Sequence, residues 1–157
     1  MAQDRWYIPI EITSSNNGFV VTEDPSGAAT RRAVTVTAGT YYLYYASGSF
    51  LVGSSLYYAI RNALNTAGAA NSYRFSAATP TSSTAQTNAG LKIDRASGST
   101  AYRVDFQDAS FTMDNRWFGF GTSTTNQTAD GSGEVTGPYT VLSNWTSYTL
   151  TDGTASE

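Results

Sequence analysis

Cysteine and histidine are both absent from the 157 residues of the chain. Without them no disulfide, no zinc site of the common kinds, no Ser-His-Asp triad, no Cys-His dyad and no imidazole base can be assembled. Any catalysis would have to rest on carboxylates, hydroxyls, tyrosines and the single lysine, Lys92. Charge is scarce as well. Only 13% of the residues are charged, about half of the roughly 25% usual in globular domains, and Ser, Thr, Asn and Gly take their place. The formal net charge is −3, and the arginines are scattered apart from the pair Arg31-Arg32. A sequence-independent grip on phosphate needs clustered cations, so nucleic acid is not an expected partner. No apolar run approaches the length needed to span a bilayer, and no membrane partner is expected. The opening residues MAQDRWYIPIEI lack the basic, apolar and small-residue sections of a signal peptide, which predicts a chain made in the cytoplasm and left unprocessed.

What the chain has is aromatic surface. Its 11 Tyr, 7 Phe and 3 Trp supply burial that Ser/Thr-rich disordered segments lack. The length is that of one ordinary domain, so residues 1–157 are read as a single folded unit. RWYIPIEIT sets Trp6, Ile8, Ile10 and Ile12 at period two, on one face of a strand. Pro9 points the other way, where its missing donor favours an edge position or one where the amide would face solvent. SSNNG is a turn signal, and GFVVTE after it reads as the returning strand of a hairpin. AVTVTAGTYYLYY predicts two short strands or one bulged strand, and SYRFS another. GLKIDR and AYRVDFQD read as two strands joined by a hairpin through ASGS. The polar stretches 77–90 and 121–137 are too poor in apolar residues to pack alone and are expected to be long loops or arms. The last residues, 151–157, are expected to fray.

One segment changes period. In SSLYYAIRNALNTAG the residues Leu56, Ala59, Ile60, Ala63, Leu64 and Ala67 recur at three and four, which predicts an amphipathic helix over about 54–67. Ser54 or Ser55 can cap its start and Gly68 can end it. Leu56, Ile60 and Leu64 are assigned to the core, whereas Tyr57, Arg61, Asn62 and Asn65 fall on or near the opposite face. A helix laid on a small antiparallel sheet covers a face that would otherwise be wet. The predicted fold class is therefore α+β and β-rich: an antiparallel β-sandwich or partly open barrel with one packed helix.

In order, the chain shows a strand ending in TAGTYY, a helix ending in ALNTAG, the strands SYRFS, GLKI and YRVDF, a polar break, and the turn RWFGFG. This layout, over roughly 34–121, resembles a module recurrent in tailed-bacteriophage structural proteins: a strand, a helix with I-x-x-A-L-N, three strands and an LGF turn. Two departures stand out. Phe118 occupies the place of the usual leucine, and an insertion, 77–89, separates Phe75 from Leu91. The resemblance implies a self-assembling virion subunit, whose partners are copies of itself and other virion proteins and whose location is the virion. Tail-tube proteins of this kind combine a two-sheet body with a flanking helix, which favours the tail; capsid decoration is the alternative.

The remaining motifs divide between core and contact. Phe118, Gly119 and Phe120 read as a core turn in which glycine lets an aromatic on each side turn inward. Trp117 and Trp145, with Tyr57 and Arg61 on the helix, are the candidate interface residues. Exposed aromatics also stack on sugars, so a carbohydrate- or receptor-binding module is the alternative of another class. Glu23-Asp24 and Asp105 with Asp108 are the carboxylates that could do acid-base work, but no nucleophile with an oriented base is readable, and an enzyme is not expected. No D-x-D-x-D-G run is present, so no metal and no cofactor are expected.

Overall fold

The computed structural model describes residues 5–46, 49–50, 55–67, 70–78, 90–139 and 151–152. Its strands are β1 (Arg5–Ile12), β2 (Gly18–Glu23), β3 (Thr30–Thr35), β4 (Gly39–Ala46), β5 (Ser49–Phe50), β6 (Ser72–Ala78), β7 (Gly90–Ser97), β8 (Tyr102–Val104), β9 (Gln127–Thr128), β10 (Glu134–Thr136) and β11 (Thr151–Asp152). One α-helix, α1 (Ser55–Thr66), and a 3₁₀ turn, Asn115–Phe118, complete the described elements. The strands form three antiparallel sheets, with orders β11-β1-β4-β5, β3-β2-β8-β9 and β10-β7-β6. The fold is thus β-rich α+β.

Two expected hairpins are replaced by corners. β1 does not pair with β2; Ile12 lies opposite Gly39 in β4, and Gly18 lies opposite Thr35 in β3. Between these ladders Asn17 and Val36 exchange bonds, Val36 N–H donating to the Asn17 carbonyl at 2.9 Å and Asn17 Nδ2 donating to the Val36 carbonyl at 3.2 Å. The two ladders are therefore one long ribbon that bends from the first sheet into the second. Asn16 holds the extra residues of the bend, its Oδ1 accepting from Thr13 N–H and its Nδ2 donating to the Glu11 carbonyl. SSNNG is a corner rather than a hairpin tip, and a corner lets one ribbon serve two sheets. Likewise β7 pairs with β6 and β10 while β8 pairs with β2 and β9. The linking loop is captured by Asn71, whose amide bonds both the carbonyl and the N–H of Thr100.

Pro9 does not lie in an edge strand, since β1 runs between β11 and β4, but β11 pairs only with Trp6 and Tyr7 among the described residues. Tyr42, opposite it, donates its N–H to Ser55 Oγ at 2.8 Å, away from β1, so Pro9 and Tyr42 are a non-hydrogen-bonded pair. The missing donor of Pro9 faces away from the ladder. The same bond shows why Ser55, expected as a helix cap, does something else: it ties the first residue of α1 to β4. Ser54 and Gly68 lie outside the described residues.

The arms differ from expectation where they are described. Ala77 and Ala78 belong to β6 and pair with Leu91 and Gly90, while 79–89 lie outside the described residues. The stretch 121–137, expected as an arm, holds β9 and β10, and Val135 is buried against β7. Its polar sequence packs because its own residues make the turn, Asp130 Oδ1 accepting from the N–H groups of Ser132 and Glu134. Thr151 and Asp152, expected to fray, pair with Tyr7 and Trp6.

The core lies where the sheets and α1 meet. Leu56, Ile60 and Leu64 are fully buried, as their spacing predicts. They share that space with an aromatic cluster in which Phe19 meets Phe118 at 5.2 Å, Phe106 meets Phe111 at 4.7 Å, and Phe106 meets Phe120 at 5.0 Å between ring centroids.

Candidate functional site

The turn RWFGFG is built by its own residues. Asp114 accepts from Arg116 N–H to start the 3₁₀ turn, and Gly119 ends it in the left-handed region at φ 79°. Gly137 crosses beside it so closely that a Cβ there would lie 2.4 Å from the Phe118 carbonyl oxygen. The backbone of Gly119 then accepts from Tyr139 N–H at 2.9 Å. Phe118, Gly119 and Phe120 are all buried, which makes this turn part of the core.

Two of the predicted contact residues are also core. Tyr57 is 1% exposed; its ring stacks on Phe75 at 5.1 Å and its hydroxyl donates to the Trp117 carbonyl. Its position one residue past Leu56 puts it beside the apolar stripe, and a buried acceptor lets the hydroxyl come inside. Burial pushes that hydroxyl's pKa well up. Trp117 is 4% exposed, and its buried Nε1–H has no hydrogen-bond partner among the described residues. The turn folds the indole inward, so neither residue is an interface residue of the folded chain. Trp145 lies outside the described residues.

Arg61 keeps its place on the outer side of α1, its guanidinium 4.7 Å from the centre of the exposed Tyr58 ring. Asn65 does not remain in solvent alone: its amide accepts from Tyr73 N–H at 2.8 Å and donates to the Tyr73 carbonyl at 3.0 Å, fastening α1 to β6. The outer side of α1 therefore presents Tyr58, Arg61 and Asn62, and no residue of the helix is acidic.

Of the carboxylates singled out from the sequence, Asp24 accepts from Ala28 N–H at 2.9 Å within its own turn, and the other three serve two networks. Glu23, 2% exposed, accepts from Ala70 N–H and Asn71 N–H at 2.9 Å each, from Tyr73 OH at 2.7 Å and from Arg32 Nε at 3.3 Å. Burial alone would raise its pKa, but these four donors together hold it below its ordinary value of 4.5. Arg32 also donates to the Ala67 carbonyl, so Glu23 joins β2, β3, the end of α1 and the start of β6. The second network lies on the opposite face of the same sheet. Asp105, buried, accepts from Thr22 Oγ1 and from Arg103, and Asp108 takes Arg31 in a two-pronged pair at 2.7 Å for each prong. The Arg31 bonds, with help from Ser110 N–H, hold the Asp108 carboxyl well below the usual range. A groove of about 380 Å³ lined by Thr22, Arg31, Arg103, Asp105, Asp108 and Asn126 runs over this face.

Glu23, Asp105 and Asp108 are thus each paired with an arginine and take further hydrogen bonds besides. Among the described residues no group of three or more acidic side chains is placed to hold a metal ion. No family model, curated protein or solved structure matches the chain. The Glu23 network and the paired arginines were not readable beforehand as sites, because both depend on strand register. The only sequence signal was period two: Glu23 shares a face with Phe19 and Val21, and Thr22 does not.

Proposed function

We propose that this chain is a self-assembling structural subunit of a tailed-phage particle, in the tail rather than on the capsid. The observation that carries the reading is the way α1 and the RWFGFG turn, the two markers of the phage module, close on one another through the Tyr57 hydroxyl and the Trp117 carbonyl. In that arrangement the helix is scaffold, and only its outer side, with Tyr58 and Arg61, is left for a neighbour. Aromatic residues and arginine without carboxylates are the composition enriched at protein interfaces.

The purified chain, concentrated and viewed by negative-stain microscopy alongside size-exclusion chromatography, should form rings or short tubes. Trimers without rings would favour capsid decoration instead. A strict monomer that retains a glycan on an array would contradict assembly and support the carbohydrate-binding alternative.

A further inference from the structure

The corner between the first two sheets is made by the chain's one Asn-Gly pair, Asn17-Gly18. The peptide group that joins them is held at both ends: the Asn17 carbonyl accepts from Val36 N–H at 2.9 Å, and the Gly18 N–H donates to Thr112 Oγ1 at 2.8 Å. The Asn17 side chain goes the way of its carbonyl, Nδ2 donating to the Val36 carbonyl at 3.2 Å. Gly18 is buried, and its own carbonyl accepts from the N–H groups of Thr112 and Met113 at 3.1 and 3.2 Å. Packing dictates both residue types. A Cβ on Gly18 would lie 1.9 Å from the Ser110 carbonyl oxygen, and at position 17 the ribbon needs a short side chain with an N–H to give.

Asparagine is a thermolabile residue, and before glycine it is most exposed to loss of its amide. The glycine nitrogen, with no Cβ beside it to hinder the approach, attacks the asparagine Cγ. A new C–N bond closes a succinimide ring, and the side-chain nitrogen leaves as ammonia, taking the proton of the glycine N–H. Water then opens the ring at either carbonyl, giving aspartate or isoaspartate.

We infer that Asn17-Gly18 is a latent deamidation site, shut while the corner is formed and open once it unfolds, and that its conversion leaves a corner that opens more readily. In the folded chain the attack is blocked from both sides. The N–H and C=O of a trans peptide point in opposite directions, so the Gly18 nitrogen faces Thr112 while the Asn17 side chain is tied to Val36. Ring closure requires both bonds to break together, so the rate in the folded chain is set by how often the corner opens. The products do not fit the corner. Aspartate has no N–H for the Val36 carbonyl and sets a carboxylate oxygen against it. Isoaspartate adds a backbone carbon between the two ladders that the bonds of Asn17 and Val36 join.

The test is peptide mass spectrometry of the full chain held in mildly alkaline buffer, folded or in urea. In urea, Asn17 should deamidate faster than any other asparagine of the chain, and in the folded chain its rate should fall by about tenfold or more. Equal rates folded and in urea, or another asparagine leading in urea, would overturn the assignment; this comparison needs no variant. Thr112→Val removes the acceptor of the Gly18 N–H at an exposed position and should raise the folded rate several-fold without altering the rate in urea. A folded rate equal to the parent's would remove Thr112 from the lock. Asn17→Asp stands for the converted chain, and hydrogen exchange at Val36 N–H should be faster in it by about tenfold. Exchange there at the parent's rate would refute the weakened corner.

Discussion

Replacing Glu23 by Gln tests the internal architecture most sharply, because the two side chains have the same shape and differ in what they can accept. The carboxylate takes four donors, two at each oxygen: Asn71 N–H and Tyr73 OH at Oε1, Ala70 N–H and Arg32 Nε at Oε2. Gln can place its oxygen at only one of these positions. Its NH₂ then faces two donors at the other, and in either orientation one backbone N–H, that of Ala70 or of Asn71, loses its acceptor. Breaking a buried charged pair by removing one partner costs about 3–5 kcal/mol. For a chain of this length each kcal/mol lowers the melting temperature by roughly 2–4 °C, so Glu23→Gln should melt about 6–20 °C below the parent at neutral pH. The pH dependence follows with its sign. The folded pKa of Glu23 lies below the unfolded value of 4.5, so its contribution is present above about that pH and is lost as the pH falls through the folded value. Scanning calorimetry from pH 7 downward should show the gap between parent and variant narrowing below pH 4.5. A variant within about 1 kcal/mol of the parent at pH 7, with the same acid profile, would refute the role assigned to Glu23.

Further substitutions separate core from surface. Leu64→Ala should cost about 2–5 kcal/mol in urea unfolding, while Arg61→Ala should change stability by no more than about 0.5 kcal/mol; equal losses would contradict the facing of α1. Trp117→Phe removes a buried N–H that has no acceptor among the described residues, so the relief should offset part of the lost packing and leave the change below about 1.5 kcal/mol, against about 3–5 kcal/mol for Trp117→Ala. Gly137→Ala should destabilise by about 1–3 kcal/mol because its Cβ meets the backbone of Phe118 and Gly119. By contrast, Gly131→Ala, where nothing lies within 4 Å, should be neutral or slightly stabilising by the same assay.

What could be read beforehand was whatever depends on neighbours along the chain. The three- and four-residue spacing of Leu56, Ile60 and Leu64 fixed which side of α1 faces the core. Period two located most of the strands, and Gly119 between two phenylalanines marked a buried turn. What could not be read was pairing. SSNNG has the composition of a hairpin tip, yet Asn17 bonds Val36 and turns the ribbon through a corner. ASGS has it too, but Asn71 captures Thr100 and sends the chain to another sheet. Tyr57 was misassigned for a related reason: a hydroxyl on the rim of an apolar stripe goes inside only if a distant chain segment offers an acceptor, and the Trp117 carbonyl is 60 residues away. The candidate site suffered most, since Arg31, Thr22 and Arg103 become neighbours only through two register choices.

Assembly is the central claim, and the most direct measurement of it is the mass distribution of the purified full chain in solution as concentration rises. Sedimentation velocity combined with negative-stain images should show monomers passing into discrete closed oligomers, rings first and tubes at the highest concentrations. A single monomeric species at every concentration and salt, with no ordered particles in the images, would contradict it.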